Sequence, residues 1–268
     1  MALSNKTKIG IVGMGFLGGA VKYWFDKQEF PAFFYDKYKG VGSVEEINNA
    51  EIIFICLPTP FLEEENKGFD DSAIWETLDL IDGQKIIVIR STVLPGSTEK
   101  YQKNFPHHKF LMNPEFLVAK TAIQDFINPN RQIIGCTEVS KDVAENVLKI
   151  LPKAPFEKIV SATEAEMIKY FGNVFLANRL IFANQMYDIC QKIGADYETV
   201  KECAGSDSRI GLSHFDVLCD GYRGYSGACL PKDTKALIQF AQKVGVDAKL
   251  LKTIDEINNK LIDGNNHD

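Results

Sequence analysis

A glycine-rich turn near the N-terminus constrains the fold of this chain more than any other feature. A short apolar strand, Lys8–Val12, leads directly into GMGFLG, residues 13–18, and the helical sequence GAVKYWFDKQ follows. In this context Gly13 makes the tight turn, Gly15 lets backbone approach a pyrophosphate, and Gly18 lets the helix pack on the strand. The unpaired N–H groups at the start of the helix then face the phosphates. The pattern predicts a dinucleotide site in a Rossmann-type α/β domain.

Asp36 follows the second predicted strand, Ala32–Tyr35, at about the spacing of 20 residues at which such domains carry a ribose-binding acid. A carboxylate there accepts hydrogen bonds from both ribose hydroxyls and repels a 2′-phosphate, which favours NAD over NADP. The neighbouring Lys37 and Lys39 weaken that preference. An ordinary turn aspartate is the alternative interpretation. We expect NAD as the cofactor.

Apolar strands continue to alternate with helical segments along the N-terminal half. Strands are predicted over 51–57, 85–89, 110–112 and 131–135, with a helix over 71–81. We expect a doubly wound sheet of buried parallel strands, and ligands bind beyond the carboxyl ends of such strands. Each polar residue after these strands could singly be a capping or turn residue. Their grouping at consecutive strand ends favours a binding site made of Thr59, Ser91, Thr92, Asn113 and Glu115.

The C-terminal half is helical in pattern. Residues 164–193 predict one helix of about eight turns, with a broad apolar face that suits packing between domains or against a second subunit. Thr163 and Glu166 predict a capping box at its start, and Lys169 and Asn173 share one face at spacing i, i+4. Further helices are expected over 196–203, 233–244 and 250–261. We expect an α/β domain over 1–160 and an all-helical domain over 161–268.

A second glycine-rich stretch, GYSGACLPKD at 224–233, places Cys229 beside Lys232 and Asp233. A nearby ammonium lowers the pKa of a thiol toward the reactive thiolate. A cysteine with an ammonium and a carboxylate beside it suits covalent catalysis. A surface turn that holds a buried structural cysteine is the alternative interpretation.

The composition argues against several other functions. The 268 residues are 45% hydrophobic and 25% charged with a net charge of −6, which disfavours nucleic acid or an anionic membrane as partner. Six cysteines lack zinc-site spacing, and His107–His108 has no carboxylate partner, so we expect no metal. The chain shows no signal peptide and no membrane-spanning apolar run. We expect a cytoplasmic protein with free thiols.

Several motifs follow one another in an order that resembles the UDP-glucose 6-dehydrogenase family and its relatives that oxidise other nucleotide sugars. They are GMGFLG, LPTP (57–60), STVLPGST (91–98), NPEFL (113–117), DFINPNRQIIG (125–135), Lys169 with Asn173, DSRIG (207–211) and GYSGACLPKD. The resemblance covers nearly the whole chain, and NPEFL combined with the cysteine motif is its most specific part.

In that family two successive NAD⁺ reductions take the primary alcohol of a nucleotide sugar to a carboxylate. The resemblance implies that Cys229 captures the aldehyde as a thiohemiacetal that is oxidised to a thioester. It implies that Lys169 steadies the developing oxyanion and that Glu115 is the general base of thioester hydrolysis. Asn173 and Asp233, with Thr92 nearby, then position water and hydroxyl groups.

The resemblance also implies contacts and partners. Cofactor contacts are expected at Gly13, Met14, Gly15, Phe16, Leu17, Gly18, Asp36, Leu57, Pro58, Thr59, Ser91, Thr92 and Lys232. Substrate contacts are expected at Glu115, Phe116, Leu117, Lys169, Asn173, Arg209, Tyr225, Gly227 and Cys229. The expected partners are a nucleotide-sugar substrate, most simply UDP-glucose, and a second copy of the chain bound through the 163–193 helix.

The sequence departs from the family pattern in four places. Val118-Ala119-Lys120 lacks a glutamate associated with the cofactor, Ser226 replaces a glycine, and four extra residues separate Arg209 from Cys229. The chain ends where the family's third, UDP-binding domain begins, so we expect that domain to be absent and recognition of the UDP end to be weaker. Two alternatives stay open: a dehydrogenase of a smaller sugar phosphate or hydroxy acid, and a non-catalytic NAD-binding subunit that needs a partner.

Overall fold

The computed structural model describes residues 6–64, 67–219 and 221–264. The chain divides into two units, the first made of Met1–Leu62 and Phe69–Lys169 and the second of Glu63–Gly68 and Tyr170–Asp268. The boundary falls within one long helix, so the two units share a continuous element of secondary structure.

Eleven strands are described. They are β1 Ile9–Val12, β2 Ala32–Tyr35, β3 Ile52–Ile55, β4 Phe61–Leu62, β5 Gly68–Phe69, β6 Ile86–Ile89, β7 Lys109–Met112, β8 Arg131–Cys136, β9 Phe156–Ser161, β10 Leu218–Cys219 and β11 Tyr222–Arg223. Seven of them form the sheet of the first unit, in the order β2-β1-β3-β6-β7-β8-β9. The apolar strands β1 and β3 are buried along their whole length because apolar clusters cover both faces of the sheet.

Ten α-helices are described. They are α1 Phe16–Lys27, α2 Val44–Asn48, α3 Ser72–Leu78, α4 Ser97–Asn104, α5 Ala122–Ile127, α6 Lys141–Ile150, α7 Ala162–Ile193, α8 Tyr197–Gly205, α9 Leu230–Lys243 and α10 Lys249–Gly264. The mixed α/β fold and the long helical region of the prediction are confirmed.

Strand direction was predicted correctly for the centre of the sheet and wrongly for β8. β2, β1, β3, β6 and β7 are parallel neighbours, whereas β8 runs antiparallel to β7, with Met112 opposite Gly135. An apolar strand buried on both faces has the same residue pattern in either direction, so the sequence carries no signal for this reversal. The reversal brings Arg131, the first residue of β8, to the sheet edge where β6 and β7 end.

The long helix α7 begins differently from the prediction, and the proposed Thr163–Glu166 capping box is wrong. Ser161 and Glu164 make that box instead: the Ser161 N–H donates to Glu164 Oε2 at 2.8 Å, and the Glu164 N–H donates to Ser161 Oγ at 3.3 Å. The Glu166 carboxylate accepts from the N–H and hydroxyl of Thr98, each at 2.7 Å, and from the Gly96 N–H. Glu166 therefore caps α4, which has no side-chain cap of its own.

The described part of the second unit is mainly helical and contains a hairpin that the prediction lacked. Strands β10 and β11 pair antiparallel, with Leu218 opposite Arg223. Helix α9 begins at Leu230, directly after Cys229 and three residues before the predicted start. Pro231 lies in its first turn, where the backbone N–H groups have no partner within the helix and proline is tolerated. Lys232 and Asp233 consequently lie in the first turn of a helix.

Candidate active site

The glycine turn at the end of β1 is shaped by backbone contacts. Gly13 has φ +88°, and a side chain there would approach the Cys56 carbonyl oxygen to 2.6 Å. At Gly18 a Cβ would lie 1.9 Å from the Gly13 carbonyl oxygen, so only glycine allows α1 to approach the turn this closely. Gly15 has open space around its Cβ position at the start of α1. These properties fit a turn that admits a pyrophosphate, so the residues present fit an NAD site.

Asp36 is bonded to this turn. Its Oδ2 accepts from the Met14 N–H at 2.8 Å, and its Oδ1 accepts from the N–H groups of Tyr38 and Lys39 at 3.1 and 3.0 Å. Partial burial opposes ionisation, but these backbone donors prevail and lower the pKa of Asp36. An ionised carboxylate therefore stands beside the turn, as a ribose-binding acid requires.

The polar residues after β3 and β6 are bonded to one another. The Thr59 hydroxyl donates to the Thr92 carbonyl oxygen at 2.6 Å, and the Ser91 hydroxyl donates to the Leu57 carbonyl oxygen at 2.7 Å. Thr59, Ser91 and Thr92 are all buried. The two strand ends are thus held together at the carboxyl edge of the sheet.

Glu115 and Lys169 form a buried ion pair in the first unit. Lys169 Nζ lies 2.6 Å from Glu115 Oε1, and the other carboxylate oxygen accepts from the Leu117 N–H at 2.8 Å. Their side chains are 7% and 4% exposed. Removal of one partner would leave a buried unpaired charge, which costs about 3–5 kcal/mol. The predicted base and the predicted oxyanion partner are therefore held together.

The other predicted contacts of the first unit are less enclosed. Phe16 is 45% exposed on the outer side of the turn, whereas Leu17 packs in the core. Pro58 is exposed, and Leu57, Phe116 and Leu117 are half-buried.

Cys229 directly precedes the first residue of α9 in the second unit and is half-buried. Asp233, one helical turn further on, is fully buried, and its N–H donates to the Cys229 carbonyl oxygen at 3.0 Å. Its carboxylate accepts from Asn173 Nδ2 at 2.6 Å and pairs with the Lys232 ammonium at 2.5 Å. Cys229 thus adjoins a buried carboxylate whose position is fixed by an amide and an ammonium.

Two side chains that the prediction missed hold the loop before Cys229. Arg223 donates to the side-chain and backbone oxygens of Asn184 at 2.9 and 3.2 Å and pairs with Asp188 at 2.8 Å. Asn258, which is 1% exposed, accepts from the Tyr225 N–H at 2.7 Å and donates to the Tyr225 carbonyl oxygen at 2.9 Å. The loop is therefore fixed to α7 and to α10 on its approach to the cysteine.

Arg209 stands apart from the other predicted contacts of this unit. Its side chain is 87% exposed and pairs with Asp207 two residues earlier. Arg179, which the prediction missed, anchors the neighbouring loop by donating to the carbonyl oxygens of Ile210, Gly211 and Ser213 at 2.8–2.9 Å. Among the other predicted contacts, Tyr225 is buried and Gly227 is exposed with φ +81°.

Two classes of site find no support among the described residues. No group of three or more His, Cys, Asp or Glu side chains in residues 6–64, 67–219 and 221–264 could hold a metal ion. In the same part of the chain, no helix has the length and apolar character needed to cross a bilayer.

Comparison with protein families identifies both units. Residues 36–151 match the NAD binding domain of the UDP-glucose/GDP-mannose dehydrogenase family, and residues 163–260 match the central domain of the same family. The chain belongs to the UDP-glucose/GDP-mannose dehydrogenase family. NAD is thus the cofactor of its first unit, as the glycine turn and Asp36 predicted.

Individual relatives agree with this family. The chain is 33% identical over 221 residues to UDP-glucose 6-dehydrogenase of Rickettsia bellii, and 31% identical over 242 residues to UDP-glucose 6-dehydrogenase AglM of Haloferax volcanii. These alignments cover 78% and 83% of this chain but 49% and 55% of the relatives, so the chain spans about half the length of the curated relatives it matches.

The fold is also similar to that of solved structures. A UDP-glucose dehydrogenase from Pyrobaculum islandicum superposes with a TM-score of 0.83 at 25% identity, over 95% of this chain and 68% of that one. The mixed α/β unit and the helical unit thus occur together in a solved member of the family.

Proposed function

We propose that this chain catalyses NAD-dependent oxidation of the primary alcohol of a nucleotide sugar to a carboxylate, with UDP-glucose as substrate. The observation that carries the proposal is the buried Asp233 carboxylate, one helical turn after Cys229 and bonded to Asn173. A carboxylate held in this way beside a cysteine serves covalent chemistry on an aldehyde. The names of the relatives supply the substrate class.

Bound NAD supplies the hydride acceptor for both oxidations. In the second unit, the Cys229 sulfur adds to the aldehyde carbon to give a thiohemiacetal, and Asn173 and Asp233 orient water and hydroxyl groups. After the thiohemiacetal has lost a hydride, water displaces the Cys229 sulfur from the thioester.

The buried pair of the first unit, Glu115 and Lys169, supplies the charged groups of the proposed reaction. The Lys169 ammonium stabilises the negative oxygen that develops when sulfur or water adds to the carbonyl carbon. The Glu115 carboxylate takes a proton from the attacking water. Their salt bridge at 2.6 Å holds both side chains in position before substrate binds.

A second part of the proposal concerns assembly and location. Apolar side chains repeat along α7 at spacings of four and seven residues and are 41–72% exposed: Met167, Phe171, Phe175, Phe182, Ile189 and Ile193. An exposed apolar stripe of this kind marks an interaction surface. We place a homodimer interface on it, in a cytoplasmic protein whose described cysteines are free thiols. Sedimentation of the wild type against Phe182→Asp tests the interface, and a wild-type monomer contradicts it.

The activity is tested by measuring NADH formation with UDP-glucose, UDP-N-acetylmannosamine, GDP-mannose and free sugar phosphates. Two NADH per UDP-glucose oxidised are expected. Cys229→Ala abolishes acid formation, while the exposed Cys203→Ala serves as the matched control. NADH formation from a sugar phosphate alone selects the smaller-substrate alternative. NAD binding without NADH from any of these sugars overturns the enzymatic proposal.

A further inference from the structure

A cavity of about 300 Å³ lies in the first unit, and two arginines line it. Arg90 follows β6 and Arg131 begins β8, so the reversed direction of β8 brings both to one sheet edge. The remaining wall consists of aromatic, aliphatic, proline and amide residues and one acid, Asp125.

Arg90 is a buried cation without a carboxylate of its own. It is 3% exposed, its Nη1 donates to Asn113 Oδ1, and its guanidinium carbon lies 4.9 Å from the centre of the Phe126 ring. Its Nε has no hydrogen-bond partner within the described part of the chain. Glu115, the carboxylate whose charge acts on Arg90, already pairs with Lys169 at 2.6 Å. Burial lowers the pKa of Arg90, but a guanidinium stays charged at neutral pH, and a buried unpaired charge is costly.

Arg131 lies over an aromatic ring. Its guanidinium carbon is 3.9 Å from the centre of the Phe116 ring, and desolvation there lowers the pKa of Arg131. Asp125, the acid of the wall, binds the Val118 N–H at 2.9 Å and the Thr121 hydroxyl at 2.7 Å. Over residues 6–64, 67–219 and 221–264, neither arginine of the wall forms a salt bridge. The wall therefore carries two positive charges and one acid, whose Oδ2 already accepts two hydrogen bonds.

We propose that this cavity binds a small oxyanion, a phosphate or carboxylate group, between Arg90 and Arg131. Guanidinium groups match the geometry of these anions and bind them with two parallel hydrogen bonds. The volume lies at the lower limit of ligand pockets, about 300 Å³. It suits a phosphate ester or a small dicarboxylate rather than a whole nucleotide sugar.

The occupant adjoins the segment that carries the predicted substrate contacts. Phe116 and Leu117 line the cavity and directly follow Glu115. An anion on Arg131 therefore fixes Phe116 through the guanidinium that stacks on it, and thereby fixes the position of Glu115. This consequence rests on the proposed function, whereas binding of the anion does not.

The experiment is calorimetric titration of the purified chain with inorganic phosphate and, separately, with malonate. Saturating NAD is present so that the glycine turn is not available to the added anion. Arg131→Gln is expected to weaken binding by about tenfold or more, because it removes one of two guanidiniums. Arg90→Lys, which keeps the charge but loses the planar fork, is expected to weaken binding less. Lys103→Gln, at an exposed lysine of α4, is the control and leaves binding unchanged.

Binding of phosphate alone identifies a phosphate ligand, and binding of malonate alone identifies a carboxylate ligand. Absence of binding of either anion to the wild type overturns the proposal. The proposal is also overturned if the anion binds Arg131→Gln as tightly as the wild type. It is overturned too if Lys103→Gln weakens binding as much as Arg131→Gln does. None of these readings requires NADH formation, so failure of the anion site and failure of the proposed activity are distinguishable.

Discussion

The chain contains two glycine-rich segments, and different forces shape them. At residues 13–18 the shape follows from backbone contacts between sequence neighbours and adjacent strands, since a Cβ at Gly13 or Gly18 would collide with carbonyl oxygens. At residues 224–229 the shape depends on side chains that come from far along the chain. Arg223 is bonded to Asn184, 39 residues earlier, and Asn258 is bonded to Tyr225, 33 residues earlier.

The difference shows where each segment can fail. A turn shaped by backbone sterics fails when a side chain is added at a glycine whose Cβ would meet backbone atoms, as at Gly13 and Gly18. A loop held by hydrogen bonds from remote side chains fails when a residue outside the loop is changed, even though the loop sequence is intact. The cofactor turn belongs to the first class and the approach to Cys229 to the second.

The largest effect is expected from Gly18→Ala, which tests the steric origin of the cofactor turn. The added Cβ would lie 1.9 Å from the Gly13 carbonyl oxygen, so the helix must move away from the strand. We expect a loss of about 3 kcal/mol in the free energy of unfolding, measured by urea denaturation, and loss of NAD binding.

Gly15→Ala is the matched control, because nothing lies within 4 Å of its Cβ position. It should leave the free energy of unfolding nearly unchanged and weaken NAD binding only. Equal stability of the two variants would refute the steric account of the turn.

A smaller effect is expected from Asn258→Ala, which tests the remote support of the cysteine loop. The change leaves the buried N–H and carbonyl of Tyr225 without partners, which costs about 2–3 kcal/mol. The alkylation rate of Cys229 by iodoacetamide, followed on its peptide by mass spectrometry, should change as well. The neighbouring Asn259→Ala removes only an exposed contact of 3.4 Å and should alter neither quantity. An unchanged alkylation rate in Asn258→Ala would mean that the loop holds its own shape.

The smallest effect is expected from a change at Glu166. This side chain comes from far along the chain and supports a helix start in the first unit. Burial raises the pKa of Glu166 to about 7 from 4.5, although Thr98 and Gly96 donate to it. Between these values the folded chain holds a proton that the unfolded chain has released, so stability falls as pH rises through this window. Between these two pH values, the free energy of unfolding of Glu166→Gln should fall by about 1–3 kcal/mol less than that of the wild type. Urea unfolding at several pH values measures this difference.

Glu164→Gln on the same helix is the control for this pH effect. Hydrogen bonds from Ser161 lower the pKa of Glu164, so its contribution to stability is lost as pH falls, which is the opposite sign. If both variants change the pH dependence in the same direction, the assignment of the effect to burial of Glu166 is wrong.

The parts of the fold that could be predicted from sequence are those set by local physics. The strand, glycine turn and helix at residues 8–28 follow from sterics and hydrophobic periodicity, and the cofactor followed from them. The direction of β8 could not be predicted, because its buried residues read alike in both directions. Arg131 could not be recognised as a partner of Arg90 for the same reason.

The candidate site likewise contains residues that the sequence pattern indicates and residues that it does not. Cys229 and Asp233 were recognisable because a glycine-rich stretch places them, with Lys232, within five residues of one another. Asn258, Arg179 and Arg223 carry no motif, because a hydrogen bond across more than 30 residues leaves no pattern in the sequence. Glu166 was noticed for its spacing from Thr163, but its true partners lie about 70 residues away.

The hydrogen bond between Ser226 and Tyr222 couples two of the family departures. The family resemblance implies that Ser226 replaces a glycine and that Tyr222 lies in a lengthened stretch between Arg209 and Cys229. A glycine at position 226 would remove the partner of the Tyr222 hydroxyl. A shorter stretch without Tyr222 would remove the partner of the Ser226 hydroxyl. Ser226 and the lengthened stretch with Tyr222 therefore depend on each other. A chimera in which this loop is grafted onto a relative should carry both changes or neither.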